Sequence, residues 1–249
     1  MVLSIGLLAP LVAYAELSDQ SMLGPGLRSR PTYDGSASQH VEMVPVIRYF
    51  GHPWFLRSTQ GLLEGGARVE LAPGLHAGAQ LAYEPGRETG ESEFLRNHDV
   101  LGVGHGASVG VHLEWDHAFG PMPITLLARA RQHTDSNRGA QVDLRLSAGI
   151  YRNARVATGL FAQTTWASAK SAGSFYDTTP QSATGLPAFR AGSGVLNGSL
   201  GLLWSVDLSR DWIALGSMES RRLQGDASHS PLVEQRSNTY VSAGFAYHF

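Results

Sequence analysis

A chain of 249 residues, 43% hydrophobic and 16% charged, has room for one large domain or two small ones, and its net charge of −2 offers no field for a nucleic acid. The absence of cysteine excludes a disulfide scaffold, a thiol nucleophile, a Cys-ligated metal and a lipoprotein anchor. Mean hydropathy is −0.11; no apolar run reaches the roughly 18 residues of a membrane helix, which leaves a membrane β-barrel open because alternating strands average to nearly zero.

Residues 1–15 read MVLSIGLLAPLVAYA, uncharged and ending Ala13-Tyr14-Ala15 before Glu16. An apolar stretch with small residues at the minus-three and minus-one positions is the pattern of a secretory signal peptide, here lacking its basic start. The expected organisation is a signal over 1–15, truncated at its beginning, and a barrel over 16–249.

From Glu16 onward, period two replaces helical spacing. Segments near 21–30, 43–50 and 54–60 alternate less cleanly than those that follow. Leu75, Ala77, Ala79, Leu81 and Tyr83 oppose His76, Gln80 and Glu84. Val109, Val111, Leu113 and Trp115 oppose Ser108, His112 and Glu114. At 123–133, Ile124, Leu126, Ala128 and Ala130 have one parity and Arg129, Arg131 and His133 the other. In 141–151, Val142, Leu144, Leu146, Ala148 and Ile150 oppose Gln141, Asp143, Arg145, Ser147 and Tyr151. In 195–208 the greasy face is Leu196, Leu200, Leu202, Trp204, Val206 and Leu208, against Asn197, Ser199, Ser205 and Asp207.

The second face carries too many charges for a sandwich core, and the first too many apolar groups for water on both sides. An all-β, transmembrane, antiparallel up-and-down barrel satisfies both, with its apolar face toward lipid. Glycines such as Gly78, Gly110, Gly201 and Gly244 fall at lumen parity, where crowding favours residues without a Cβ. Short connectors at 51–53, 72–74, 151–155 and 208–211, with a longer one at 115–123, alternate with long ones at 31–42, 85–99, 133–139, 169–193 and 223–236. Short turns face the periplasm and long loops the exterior, and about twelve strands result, with ten as the alternative. Trp54, Trp115, Trp204 and Trp212 fall beside the short turns and Trp166 near a long loop, the placement of an aromatic girdle at the headgroups.

At inward parity lie Arg28, Arg30, Arg68, Glu70, His112, Glu114, Arg129, Arg131, Asp143 and Arg145. Each buried charge requires a partner, so the expectation is a cross-paired, plugged lumen ahead of a mildly anion-selective pore. The loop 169–193 holds Phe175, Tyr176, Pro180, Leu186, Pro187 and Phe189, too apolar to stand in water. These groups must pack on the barrel mouth, in the lumen or on a partner, and a lid on the chain's own barrel is favoured.

The chain ends with Val241, Ala243, Phe245, Tyr247 and Phe249 on one face. A last strand of alternating aromatics with a terminal Phe resembles the signal read by the barrel assembly machinery of bacterial outer membranes. Tyr247 and Phe249 join the expected girdle. SFYDTTPQSATGLPAFRAGSG (174–194), GLRSRPTYDGS (26–36) with VPVIRY (44–49), and LQGDASHSPLVEQRS (223–237) resemble the MipA/OmpV family of outer-membrane proteins, with a looser match around FLRNHDVLGVGHG (94–106). The resemblance implies an outer-membrane location and a scaffold that bridges a lytic transglycosylase and a penicillin-binding protein in peptidoglycan assembly. It implies no enzyme and no cofactor.

Two loop pairs have the residue types of a rim-active lipid hydrolase, His98 with Asp99 and His229 with Ser230, and neither spacing forces a triad. His112 and Glu114, two apart on one strand face, are a candidate metal pair, although such pairs more often hydrogen-bond within a lumen. The leading expectation is therefore a non-enzymatic barrel that contacts outer-membrane lipid and acts as an envelope scaffold. A small diffusion channel comes second, and an adhesin or lipid hydrolase third.

Overall fold

The computed structural model describes residues 21–59, 61–179 and 184–249, so the expected signal over 1–15 lies outside it. Twelve antiparallel strands follow in order: β1 (Met22–Pro31), β2 (Gln39–Phe50), β3 (Trp54–Thr59), β4 (Leu62–Ala72), β5 (Leu75–Glu84), β6 (Gly106–Phe119), β7 (Met122–His133), β8 (Ala140–Arg152), β9 (Val156–Ala167), β10 (Gly194–Asp207), β11 (Trp212–Leu223) and β12 (Ser237–His248). Each pairs with its sequence neighbours, and β12 closes on β1 with Met22 opposite His248 and Gly26 opposite Gly244. Closure pairs the backbone within the sheet, which hydrocarbon demands of any spanning segment. No described helix is long and apolar enough to cross a membrane.

The parity reading orients most side chains. On β7, Thr125, Leu127, Arg129, Arg131 and His133 are buried inside, while Leu126 faces out. On β8, Asp143, Arg145 and Ser147 point inward and Val142, Leu144 and Leu146 outward. The crowding expected at lumen glycines is present: a Cβ on Gly78 would lie 2.5 Å from the His112 ring, and one on Gly201 would meet the Phe161 ring.

Three local departures have local causes. A bulge between Val195 and Asn197 rotates the start of β10, so Leu196 is buried and Val195 is exposed, the reverse of strict alternation. A second bulge, between Gly149 and Tyr151, sets Tyr151 opposite Thr158 and sends it outward instead of keeping it with Asp143 and Arg145. At the far end of β4 a register shift between Glu70 and Ala72 leaves Glu70 exposed, where its carboxylate accepts from Gly74 N–H at 3.1 Å. Glu70 therefore caps a turn and does not join the lumen charges.

The connectors also differ from expectation in two places. Strands β6 and β7 extend until only 120–121 separate them, and only two positions separate β3 from β4 on the exterior side. The long loops carry structure of their own: α1 (Glu93–Asn97) and α2 (Ala169–Tyr176), each started by a serine side chain, Ser92 and Ser168, that accepts a backbone N–H. Two apolar clusters sit above the barrel mouth. One contains Ala167, Ala172, Tyr176, Ala191, Leu196, Leu223 and Ala227; the other contains Tyr33, Leu95, Val100 and Leu232.

Candidate functional site

The lumen has two unlike walls. Along β3–β8, four arginines and four carboxylates alternate in one connected chain. Arg68 reaches Glu114 at 3.4 Å and Arg57 reaches Glu114 at 2.9 Å. Arg57 also binds Glu64, whose other oxygen takes Arg129 at 2.8 Å and the Gln80 amide at 2.8 Å. Arg129 continues to Asp143 at 2.8 Å, Asp143 accepts from Arg131 at 3.0 Å and Thr165 at 2.9 Å, and Arg131 ends on Glu84 at 2.8 Å. Strict alternation of sign is what makes such a chain tolerable in a narrow interior, because every charge has an opposite neighbour.

Against β9–β12, β1 and β2 the lining is Phe161, Leu203, Leu215, Val44, Val46 and glycines, and here the lumen is hollow. A cavity of about 220 Å³ lies beside these residues, and a second of about 210 Å³ lies above it under the loops. They share Arg28, Gly61, Leu62 and Tyr240 and so adjoin. Arg28 and Arg221 lie over the Tyr240 ring at 5.3 and 4.3 Å. Arg221 pairs with Asp34 at 3.1 Å and Glu219 at 3.0 Å, Arg30 binds Glu42 at 3.1 Å, and Arg145 stacks on Phe161 at 4.0 Å while its Nε donates to Ser147.

The loop 169–193 folds onto its own barrel. Tyr176 is buried and donates to the Asp34 carbonyl at 3.2 Å; Phe175 and Phe189 pack against the same cluster, and Leu186 packs on the other. The Phe175 carbonyl accepts from Arg87, and Arg138 lies 5.3 Å from its ring. Pro187 is exposed, with its carbonyl accepting from Thr178 at 2.6 Å, and Pro180 lies outside the described residues. Burial pushes the Tyr176 hydroxyl well above the usual phenol range, with the Asp34 carboxylate adding to the shift. Burial likewise raises Tyr33, which donates to the Leu232 carbonyl at 2.9 Å and adjoins Glu234, and lowers the Arg87 guanidinium.

The loop pairs are not brought together as catalytic sets. His98 Nδ1 contacts the Thr184 carbonyl at 2.9 Å, and Asp99 accepts from the Thr184 hydroxyl at 3.0 Å, so both tie one loop to another. His229 Nδ1 faces Gly225 O and Ser228, whereas Ser230 donates to the Tyr176 carbonyl at 2.7 Å. His112 Nδ1 meets Gln80 at 2.7 Å while Glu114 is taken by two arginines. Among the described residues no three His, Asp or Glu side chains gather as metal ligands.

Glu64, Arg57, Asp34 and Arg221 were not singled out from sequence, and Glu84 only as part of the polar face of its strand. Glu64 shares parity with Arg68 in a cleanly paired strand, so extending the alternation back through LLEGGARVE would have found it. Arg57 was hidden because its strand is short and its inward neighbour is the buried Phe55.

Trp54, Trp115, Trp212, Tyr247 and Phe249 face outward near the short-turn end, and Trp212 meets Tyr247 edge-on at 5.6 Å. Trp204 also faces outward but lies half-buried against Gly216. Trp166 is exposed at the opposite end.

A family model described as "MltA-interacting protein MipA" matches residues 23–249, and no curated protein matches the chain. Among solved structures, an outer-membrane channel from Pseudomonas putida F1 superposes with a TM-score of 0.50 at 10% identity, covering 95% of this chain and 98% of that one. A bacterial polysaccharide outer-membrane secretin gives 0.47 at 10% identity over 93% and 99% of the two chains, and the NanC porin gives 0.43 at 7% over 92% and 100%. At such identities the likeness is one of fold, that of a closed barrel of the outer membrane.

Proposed function

The chain belongs to the MipA family, and on that premise we propose that it is a non-enzymatic scaffold of the cell envelope. Its barrel sits in outer-membrane lipid and its periplasmic rim holds peptidoglycan enzymes, a lytic transglycosylase of the MltA type and, by family resemblance, a penicillin-binding protein. The observation that carries this reading is how the two ends differ. The exterior end spends its apolar loop residues on its own mouth, in the clusters around Tyr176 and Leu232. At the opposite end two of the short turns are polar, with exposed Arg152 ending β8, Asn153 and Arg155 after it, and Arg210 and Asp211 after β10. The outward aromatics beside these turns form the headgroup girdle that fixes the rim at the membrane surface, and the segment 1–15 and the C-terminal aromatic strand supply export and recognition by the assembly machinery. Cross-linking in cells followed by mass spectrometry tests the proposal. Links from the turns at 151–155 and 208–211 to a lytic transglycosylase are expected, and their absence from the envelope cross-links overturns it.

A small diffusion channel is the second reading, favoured by the two adjoining lumen cavities. It requires single-channel conductance in a planar bilayer that changes with Arg129→Ala or Arg131→Ala; silent insertion removes it.

A further inference from the structure

One seam of the barrel wall is much shorter than the rest. β2 has 12 residues and β3 six, and their ladder consists of Arg48↔Arg57, Tyr49↔Leu56 and Phe50↔Phe55. Just above it the Ser58 hydroxyl stands in for backbone, accepting from Ile47 N–H at 3.0 Å. Residues two apart on an antiparallel strand aim their backbone groups to the same side, so Pro45, Met43 and Val41 face this seam as Ile47 does. Among the described residues no strand pairs with them there. Pro45, which brings no N–H, is a residue type suited to an edge.

The gap lies at lipid depth. The outward side chains of Val41 and Met43 beside it are 63% and 78% exposed, and Leu81 on β5, beyond the short hairpin, is 62% exposed. Its upper lip is tied shut, because Glu91 binds Arg30 at 3.2 Å and approaches His40 at 3.6 Å, drawing the loop after β5 across to β1 and β2. An unpaired strand edge is tolerated at membrane depth only where it lines a cavity, since hydrocarbon satisfies no backbone group. Such a cavity lies directly behind: the 220 Å³ hollow is lined by Val44, Pro45 and Val46 on one side of the gap and by Ser58, Gly61 and Leu62 on the other. Its charged lining is Arg28, which also reaches Glu42 at 3.7 Å, with Arg48, Arg145 and the carboxylate of Glu219.

We propose that the β2–β3 gap is a lateral entrance from the outer leaflet and that the cavity behind it binds a single-chain anionic amphiphile of the long-chain fatty acid type. The chain lies along Val44, Val46, Leu62 and Leu203, and the carboxylate sits among the three arginines, whose planar forks suit it. A ligand of this kind matches an apolar wall and an arginine-lined pocket together. A lipid-side route follows from the position of the gap and from the loops that cover the mouth.

The test uses the full chain refolded into phosphatidylcholine vesicles, with 11-(dansylamino)undecanoic acid as probe. Saturable, blue-shifted emission is expected, displaced by oleic acid and not by methyl oleate. Val46→Trp and Leu203→Trp, which fill the cavity, and Arg48→Gln, which removes a cation, are each expected to weaken binding by about tenfold or more while the barrel stays heat-modifiable on gels. If one tryptophan variant does not fold, the other and Arg48→Gln carry the test. Probe and methyl ester binding alike, or folded variants binding as the parent does, would show partition into the lipid belt and overturn the site. Val46 and Thr59 are the second pair of positions beyond the β2–β3 ladder, after Ile47 and Ser58. A disulfide between Val46→Cys and Thr59→Cys, in a chain with no other cysteine, should slow uptake about tenfold, with recovery on reduction. Uptake unchanged by that cross-link overturns lateral entry.

Discussion

The wall built by β3–β8 and the wall built by β9–β12, β1 and β2 share one architecture and solve opposite problems. The first packs its interior with ions: Glu64, essentially inaccessible to solvent, is held between Arg57 and Arg129. The second leaves space beside Phe161, Leu203 and Leu215. A closed barrel therefore does not dictate a filled or an open lumen. That is decided by which inward positions carry long charged side chains and by whether the charges alternate in sign.

The comparison breaks most sharply at Glu64. Glu64→Ala leaves two buried guanidinium groups short of a partner and should lower unfolding stability by about 3–5 kcal/mol, read from urea midpoints in lipid vesicles. A loss near that of a surface residue would mean that the ion chain is water-filled and the two walls are alike. Next comes the lid that covers both walls. Leu232 is fully buried among Tyr33, Leu95 and Val100, and Leu232→Ala should loosen the loops by about 2–4 kcal/mol. The effect should appear as accelerated proteolytic nicking of the loops, with the barrel's urea midpoint little changed.

The lid also has a pH signature. Tyr33 and Tyr176 have folded pKa values raised above the ordinary phenol value of 10.0, because burial disfavours the ionised form. Their contribution is thus complete below the unfolded pKa and falls as pH rises above it, where the unfolded chain gives up protons that the folded lid keeps. Loop proteolysis should be flat through neutral pH and rise in strong alkali, and Tyr33→Phe with Tyr176→Phe should blunt the rise. The smallest effect belongs to the hollow wall. Leu203 is half-buried beside an existing cavity, so Leu203→Ala should cost only about 1 kcal/mol by urea midpoint. A cost equal to that of Glu64→Ala would show the second wall to be as tightly packed as the first.

Much of this architecture was legible in the residues. The alternation on β5–β8 identified both the lipid face and the inward Arg129, Arg131, Asp143, His112 and Glu114. It failed where a bulge resets parity, at Leu196 and Tyr151, because one extra residue reverses every side chain beyond it. It also failed at Glu70, which has the right parity but sits past the closed part of the wall. The aromatic content of the loop 169–193 led to the expectation that it packs somewhere, whereas helix α2 inside it was not legible: ASAKSAGSFY has few apolar residues at helical spacing, and the Ser168 cap is a weak signal by itself.

By itself the sequence determined the barrel, its strand count and the sorting of apolar and charged groups, because a period of two is a property of neighbouring residues and needs no partner strand to be read. It also carried the family signature over most of its length. Only the tertiary structure decided which charge meets which, that the chain of ions lines one wall, and that a six-residue strand beside a twelve-residue one pairs with it at only three positions. Those are facts of register and strand length across the barrel. Residues such as Arg57 and Glu114, 57 positions apart, come within hydrogen-bonding distance only when closure fixes where each strand stands.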